Sequence, residues 1–223
     1  MAVHHLSFQV KEKEILGVIG PNGAGKTTLF NLLMGTLKPD QGEIIFEGRD
    51  ITYEPPHKRC HLGLGRTYQT PRPFEKMTVF ENLLVAALHS KRKKYHRARA
   101  EVLDILNRIG LYRVINQLAG RLPLLDRKRL ELGRALATAP KLIFLDEVAG
   151  GLTEMEAEKV LKIIREIQES GITIVWIEHV MSMMSEGVDR LLAIAEGRWL
   201  NCGDPGQVMN SKEVIECYMG VDE

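Results

Sequence analysis

Cysteine, aromatic residues and long apolar runs are all scarce in this chain of 223 residues. The three cysteines, Cys60, Cys202 and Cys217, lie far apart, which excludes a disulfide framework and a paired-cysteine metal site and favours a reducing compartment. No apolar run approaches the roughly 20 residues of a membrane-spanning helix, and the first residues show no signal-peptide core. We therefore expect any membrane role to be peripheral.

An excess of charge of one sign is also missing. The 30 Lys and Arg residues nearly balance the 29 Asp and Glu residues, and the formal net charge is +1 at pH 7. This balance offers no electrostatic reason to expect a nucleic-acid partner. With 44% apolar and 26% charged residues, the chain has the composition of a globular protein, and its length predicts a single domain over residues 1–223.

Short apolar runs alternate with helical patterns. The runs ILGVIG (15–20), LIFLD (142–146) and ITIVWIE (172–178) are almost wholly apolar, which is typical of parallel strands buried on both faces. LLAIAEGRWL (191–200) predicts a hairpin with a tight turn at Glu196-Gly197. We therefore predict an α/β fold with a mostly parallel sheet.

The character of the sequence changes between about Thr70 and Arg134, where helical patterns follow one another without a convincing strand. The predicted helices are TVFENLLVAALHS (78–90), RAEVLDILNRIG (99–110) and RKRLELGRALATA (127–139). We predict a helical subdomain at about 70–134, inserted into the strand-rich core.

The motif GPNGAGKTT follows the first apolar run and precedes a helical pattern, which is the context that a phosphate-binding loop requires. Its glycines allow backbone N–H groups to face an anion, and the helix that follows presents its positive end. Lys26 is expected to reach the β- and γ-phosphates, and the Thr27 hydroxyl to bind Mg²⁺. The predicted nucleotide-binding residues are Gly20, Pro21, Asn22, Gly23, Ala24, Gly25, Lys26, Thr27 and Thr28.

The motif LIFLDE supplies carboxylates to the same predicted site. Asp146 ends an apolar strand and would lie at the sheet edge where open α/β sheets bind ligands. We expect Asp146 to hold the Mg²⁺ hydration shell and Glu147 to act as the general base on water.

Two further residues complete the predicted site. Gln69, in GRTYQT, carries a neutral amide that is able to contact both Mg²⁺ and water, and His179, in IVWIEHV, follows a buried strand and is placed to hold the γ-phosphate. In isolation, an exposed loop Gln and a structural His would be the simpler interpretations.

The order of these motifs resembles the ATP-binding subunit of an ABC transporter, which is a P-loop NTPase. More narrowly, the stretches GPNGAGKTTLFN, RTYQ, MTVFENLLVA, IEHVM and VIECYMG resemble one of the two ATPase subunits of branched-chain amino acid importers. The RTYQ form is similar to the subunit with Phe or Tyr before the Gln, whereas the sister subunit usually has Pro-Glu there.

This resemblance implies an ATPase that uses ATP and Mg²⁺ and lies in the cytoplasm, peripherally on the inner face of the cell membrane. It implies a sister ATPase subunit, two membrane permease subunits and, indirectly, a substrate-binding protein as partners, and no nucleic acid. A nucleotide-binding regulatory subunit with negligible hydrolysis is the alternative. ABC-type ATPases of DNA repair or translation usually carry long coiled-coil insertions or a second ATPase, and this chain has neither. The permease and the binding protein would choose the transported substrate.

The chain departs from the family at its signature, which is usually Leu-Ser-Gly-Gly-Gln. Aligned on KRLELGRAL, these positions are Leu122, Pro123, Leu124, Leu125 and Asp126. Pro123 removes a hydroxyl and a backbone N–H, Leu125 is expected to place bulk where backbone approaches phosphate, and Asp126 adds negative charge. Loss of a donor to the transition state typically costs about 10²–10³-fold in rate.

In the ABC arrangement each ATP lies between the phosphate-binding loop of one subunit and the signature of the other. The altered signature would therefore serve the partner's nucleotide, while this chain keeps its own phosphate loop and carboxylates. A homodimer would combine two poor signatures with two good loops. The resemblance thus favours a heterodimer with one competent and one impaired site.

Smaller departures lie elsewhere. Val148 replaces a usual Pro and Thr153 a usual Asp, so contacts across the dimer are expected to differ.

The chain begins at MAVHHLSFQV, inside the first sheet of the family pattern, without the aromatic that normally stacks on adenine. Such stacking contributes roughly 0.5–1.5 kcal/mol, so ATP binding is expected to weaken but survive. A start site assigned too far downstream explains the same observation equally well.

HSKRKKYHRARA (89–100) is the dense basic segment of the chain. A solvated linker and helix start is its simpler interpretation, because blocks of like charge usually are solvated. Contact with anionic lipid headgroups is the functional alternative, at about 1 kcal/mol per cation.

Overall fold

The computed structural model describes residues 3–91 and 94–219. The strands are β1 Ile15–Ile19, β2 Ile45–Phe46, β3 Arg49–Asp50, β4 Leu64–Arg66, β5 Leu142–Asp146, β6 Thr173–Ile177, β7 Arg190–Ala195 and β8 Arg198–Gly203. The α-helices are α1 Lys26–Leu33, α2 Pro56–Leu62, α3 Val79–Lys91, α4 Tyr95–Arg108, α5 Leu124–Ala137, α6 Glu154–Glu169, α7 Met181–Gly187, α8 Pro205–Met209 and α9 Lys212–Met219. Short 3₁₀ helices lie at Tyr112–Val114 and Ala119–Arg121.

The main sheet has the strand order β4-β5-β6-β1-β7-β8. Every neighbouring pair from β4 to β7 is parallel, and β8 closes one edge as the antiparallel partner of β7. The turn between β7 and β8 is Glu196-Gly197, both with positive φ, which is the geometry of a tight hairpin turn. The predicted α/β fold, its mostly parallel sheet and this hairpin are confirmed.

Both faces of the sheet are covered, as the continuous apolar strands predict. On β1, Ile15 and Ile19 join a core cluster that includes residues of α6, whereas Leu16 and Val18 join a second cluster that includes Leu29 and Phe30 of α1. Successive side chains of a strand point to opposite faces, so the two clusters lie on opposite sides of the sheet. All five residues of β1 are buried.

Helices fill the segment from Thr70 to Arg134. α3 packs against α4 and α5, and within this segment the only strand-like pairing among the described residues is an isolated bridge between Thr78 and Leu118. α4 begins at Tyr95 and α5 at Leu124, each earlier than predicted. Pro123 is the N-cap of α5, where its missing N–H removes no helical hydrogen bond, and the helix begins directly after it. The division into core and helical subdomain stays a prediction.

Two pieces of the fold were not predicted. β4 is three residues long and contains Gly65, so it shows no strand periodicity and forms only because it pairs with Leu142, Ile143 and Phe144 of β5. The strands of the small β2–β3 sheet are two residues long, too short to show a strand pattern in the sequence. Within the described residues, no helix combines the length and the apolar character needed to cross a bilayer.

Candidate active site

The predicted site residues lie at one edge of the main sheet. Gln69 follows β4, Asp146 ends β5, His179 follows β6, and the phosphate loop follows β1. These four strands are neighbours and parallel, so their carboxyl ends meet at the same edge. Open α/β sheets bind ligands at this edge.

Glycines shape the phosphate loop between β1 and α1. Gly25 is the N-cap of α1 and has φ 98°, a left-handed conformation that favours glycine. A Cβ on Gly20 would lie 2.2 Å from the carbonyl oxygen of Ile194, so a side chain does not fit there. The Gly197 N–H of the β7–β8 turn donates to the Ala24 carbonyl at 2.9 Å and braces the loop from the side.

Lys26 is buried at the start of α1 and has no carboxylate as an ion-pair partner among the residues that the structure describes. Its Nζ donates instead to the carbonyl oxygens of Gly20 at 2.5 Å and Pro21 at 3.0 Å. Burial lowers the pKa of Lys26, and the charges of Glu147 and Asp146 oppose that shift. A buried ammonium beside free helix N–H groups fits a polyanionic ligand.

The carboxylate of Glu147 joins the two other predicted residues. Gln69 Nε2 donates to Glu147 Oε2, and His179 Nε2 lies 2.8 Å from Glu147 Oε1. Glu147 has φ 47°, a left-handed conformation that costs roughly 1–2 kcal/mol for a residue with a side chain. The structure thus brings Gln69, Glu147 and His179 into direct contact.

Asp146 is held by an arginine that sequence analysis did not single out. Arg66 Nη2 lies 2.8 Å from Asp146 Oδ2, and Arg66 Nη1 donates to Asn31 Oδ1 at 2.7 Å. The Arg66 guanidinium also lies 5.1 Å from the centre of the Tyr68 ring, within cation–π range. Arg66 could have been noticed in the sequence because it lies three residues before Gln69. Its pairing with Asp146 could not, because the two residues are 80 positions apart.

The residues at this edge fit Mg²⁺ bound together with a nucleotide. Thr27 presents an exposed hydroxyl at the start of α1, and Asp146 is a carboxylate at the end of β5. The described part of the chain holds no cluster of three His, Cys, Asp or Glu side chains that would form a protein-only metal cage. Mg²⁺ does not need one, because it commonly keeps waters and takes phosphate oxygens and only one or two protein ligands.

Glu178 is a second residue that sequence analysis missed. Its carboxylate is 1% exposed and accepts hydrogen bonds from Trp176 Nε1 at 3.3 Å and from the backbone N–H groups of Ala149 and His179 at 3.2 and 3.3 Å. Burial raises the pKa of Glu178, although these three donors favour the ionised form. Glu178 therefore links the backbone of the loop after Glu147, at Ala149, to the end of β6 by hydrogen bonds.

The signature positions form the N-terminus of α5. Pro123 is the N-cap, Leu124 is 44% exposed, and Asp126 pairs with Arg129 at 3.3 Å. Leu125 differs from expectation, because its side chain packs against the core. The bulky side chain exposed at this helix end is therefore that of Leu124.

Thr153 has a local structural role. It is the N-cap of α6, and with Glu156 it forms a capping box in which each side chain accepts from the other's backbone N–H. Replacing Asp by Thr here preserves the cap, since both residue types are good N-caps. Val148 is buried. The effect of these two residues on a dimer contact stays a prediction.

Comparison with known proteins agrees with this geometry. The family model described as ABC transporter matches residues 3–150. The high-affinity branched-chain amino acid transport ATP-binding protein LivG of Salmonella typhimurium is 38% identical over 99% of this chain and 92% of its own length. BraF of Pseudomonas aeruginosa, which has the same description, is 34% identical over the same shares. The crystal structure of the ADP conformation of MJ1267, an ATP-binding cassette of an ABC transporter, is similar with a TM-score of 0.91 and 32% identity, covering 98% of this chain and 92% of that one.

The phosphate loop, the carboxylates at the sheet edge and these matches over nearly the whole chain lead to one conclusion. This chain belongs to the ABC transporter family, as one of its ATP-binding cassettes.

Proposed function

We propose that this chain hydrolyses Mg-ATP and thereby drives an ABC importer for branched-chain or related amino acids. The observation that carries the proposal is the meeting of Gln69, Glu147 and His179 beside the phosphate loop at one sheet edge. The names of the relatives, which are branched-chain amino acid transport ATP-binding proteins, support the substrate class.

Each residue has a distinct part in this proposal. The backbone of residues 20–28 and the ammonium of Lys26 bind the phosphates, and Lys26 exchanges its two carbonyl partners for phosphate oxygens. Glu147 accepts a proton from the attacking water. Gln69 and His179 each bind the Glu147 carboxylate. In addition, Gln69 contacts the water and His179 contacts the γ-phosphate.

Mg²⁺ would neutralise charge on the phosphates when bound. Thr27 would bind it directly, and Asp146 would hold its hydration shell. Gln69 would contribute its amide oxygen, because the amide nitrogen cannot bind a cation. Arg66 would keep one Asp146 oxygen fixed while the carboxylate holds these waters.

The partners in this proposal are two membrane permease subunits, with a substrate-binding protein acting through them, and a sister ATPase subunit on the cytoplasmic face. The contrast between a complete site on this chain and the Pro123-Leu124 start of α5 supports a heterodimer. The sister's signature would complete the site at Lys26, and the site completed by this chain's α5 would be the impaired one.

The test is phosphate release by the reconstituted transporter carrying one Glu→Gln change at a time. Glu147→Gln in this chain is expected to lower turnover by about 10²-fold or more, because it removes the general base of the competent site. The matching change in the sister is expected to have little effect. Equal losses would refute the asymmetric arrangement, and full activity with Glu147→Gln would favour a regulatory subunit.

A further inference from the structure

Lys128 lies in the second turn of α5 and is 6% exposed. Its Nζ donates to the backbone carbonyl of Gln69 at 2.8 Å and to the backbone carbonyl of Glu147 at 2.9 Å. One ammonium therefore links α5 to the two loops whose side chains meet at the candidate general base.

A buried ammonium has an energetic cost that needs compensation. Burial lowers the pKa of Lys128, and the carboxylates of Glu178, Glu147, Asp146 and Glu131 act in the opposite direction. An apolar side chain of the same length would fill this space without desolvating a charge. What such a side chain lacks is the ability to bind two carbonyl groups at once.

α5 holds the loop after β4 at a second point as well. Arg134 Nη1 donates to the Arg72 carbonyl at 2.8 Å and pairs with Glu131 at 2.9 Å. Neither of these contacts reaches Glu147. Within α5, Lys128 is thus set apart from Arg134 by its bond to the Glu147 carbonyl, which makes Arg134 a matched comparison.

We infer that Lys128 is a positioning residue that fixes the backbones of Gln69 and Glu147 relative to each other and to α5. The Glu147 backbone is left-handed, and its carbonyl bonds to Lys128 and to the Gly150 N–H hold this conformation. The inference rests on the proposed ATPase function. The signature positions lie at the start of α5, which in the proposed dimer faces the partner's nucleotide. Lys128 therefore connects this helix with Glu147, whose carboxylate serves the nucleotide bound by this chain.

The main test compares Lys128→Met, which keeps the apolar stem and loses the donors, with Arg134→Met in the assembled transporter. Lys128→Met is expected to lower kcat for ATP hydrolysis by about tenfold or more, since small misplacements of reacting groups are costly. KM for ATP is expected to change less than about threefold, because Lys128 does not contact the phosphate loop. Arg134→Met is expected to have a smaller effect on kcat, and Lys128→Arg to recover part of the loss.

Hydrogen–deuterium exchange on the isolated chain provides a measurement that does not depend on activity. Lys128→Met is expected to increase exchange in peptides covering both 66–72 and 146–150, whereas Arg134→Met increases it only in the first. An unchanged kcat, equal losses in the two variants, or exchange unchanged at 146–150 would overturn the inference. A wild-type complex that binds ATP without hydrolysing it would refute the proposed function instead, and the exchange result would still decide the role of Lys128.

Discussion

In the proposed dimer the N-termini of α1 and α5 would each face a nucleotide, but they are built in opposite ways. α1 starts from Gly25 in a left-handed conformation and opens with Lys26 and Thr27. α5 starts from Pro123 and opens with an exposed Leu124. Each helix end has free N–H groups and a partial positive charge. The comparison teaches that a helix N-terminus becomes an anion site only when its side chains and backbone let the anion approach.

The charges of the two helix ends reinforce the difference. α1 has no acidic residue in its first turn and buries the ammonium of Lys26 there, which favours binding of an anion. α5 carries Asp126 in its first turn, where a carboxylate contributes about 0.3–1 kcal/mol to helix stability. The Asp126 carboxylate pairs with Arg129 at 3.3 Å, so its negative charge at the α5 terminus is partly compensated.

Removing the cation from α1 should have the largest effect on this contrast. Lys26→Ala is expected to weaken ATP binding about tenfold to 150-fold, because hydrogen bonds to charged groups contribute about 1.5–3 kcal/mol. Calorimetric titration with Mg-ATP measures the change, and Lys38→Ala, at an exposed lysine after α1, is the control. Equal affinity in wild type and Lys26→Ala would contradict the assignment of the phosphate loop.

Repairing the start of α5 should have a moderate effect. The double change Pro123→Ser and Leu124→Gly restores a hydroxyl and removes the exposed bulk, and a rise in ATP hydrolysis of a few-fold is expected in the assembled heterodimer. Asp126 is left in place, and we expect its negative charge, which Arg129 only partly compensates, to limit the gain.

Leu125→Gly is the matched control for this repair. Because Leu125 packs against the core, its loss is expected to lower the melting temperature without raising hydrolysis. Activation by Leu125→Gly and not by the double change would show that Leu125, as the sequence first indicated, is the obstructing residue.

The smallest expected effect is a change in stability on replacing Glu178, the buried carboxylate behind the candidate site. Burial raises the folded-state pKa of Glu178 above its ordinary value, so between those two values the folded chain binds more protons than the unfolded chain. Stability from this group is complete below the ordinary pKa of 4.5 and is lost as the pH rises through the raised one. Glu178→Gln should flatten this fall in the free energy of unfolding, measured by urea titration at several pH values. An unchanged slope would mean that Glu178 is not the group responsible.

Features of the site that are contiguous in the chain were predictable. The phosphate loop, β5 ending in Asp146 and β6 leading to His179 each carry their signal within a few residues, because strand burial, glycine geometry and helix starts are local properties. The meeting of these segments at one edge followed from the rule for parallel sheets, and the structure agrees.

Sequence alone therefore determined which chemical groups lie at the candidate site, since the motifs that carry them are recognisable from residue type and spacing. Only the tertiary structure decided what holds those groups. The Arg66–Asp146 pair, the Lys128 bonds to Gln69 and Glu147, and the choice of Leu124 over Leu125 as the exposed side chain depend on the packing of α5 and on the short strand β4. Arg66 lies 80 residues from its partner, and Lys128 lies 59 and 19 residues from its two. Contacts over such separations leave no periodic trace in the chain, because folding in space rather than local conformational preference brings the partners together.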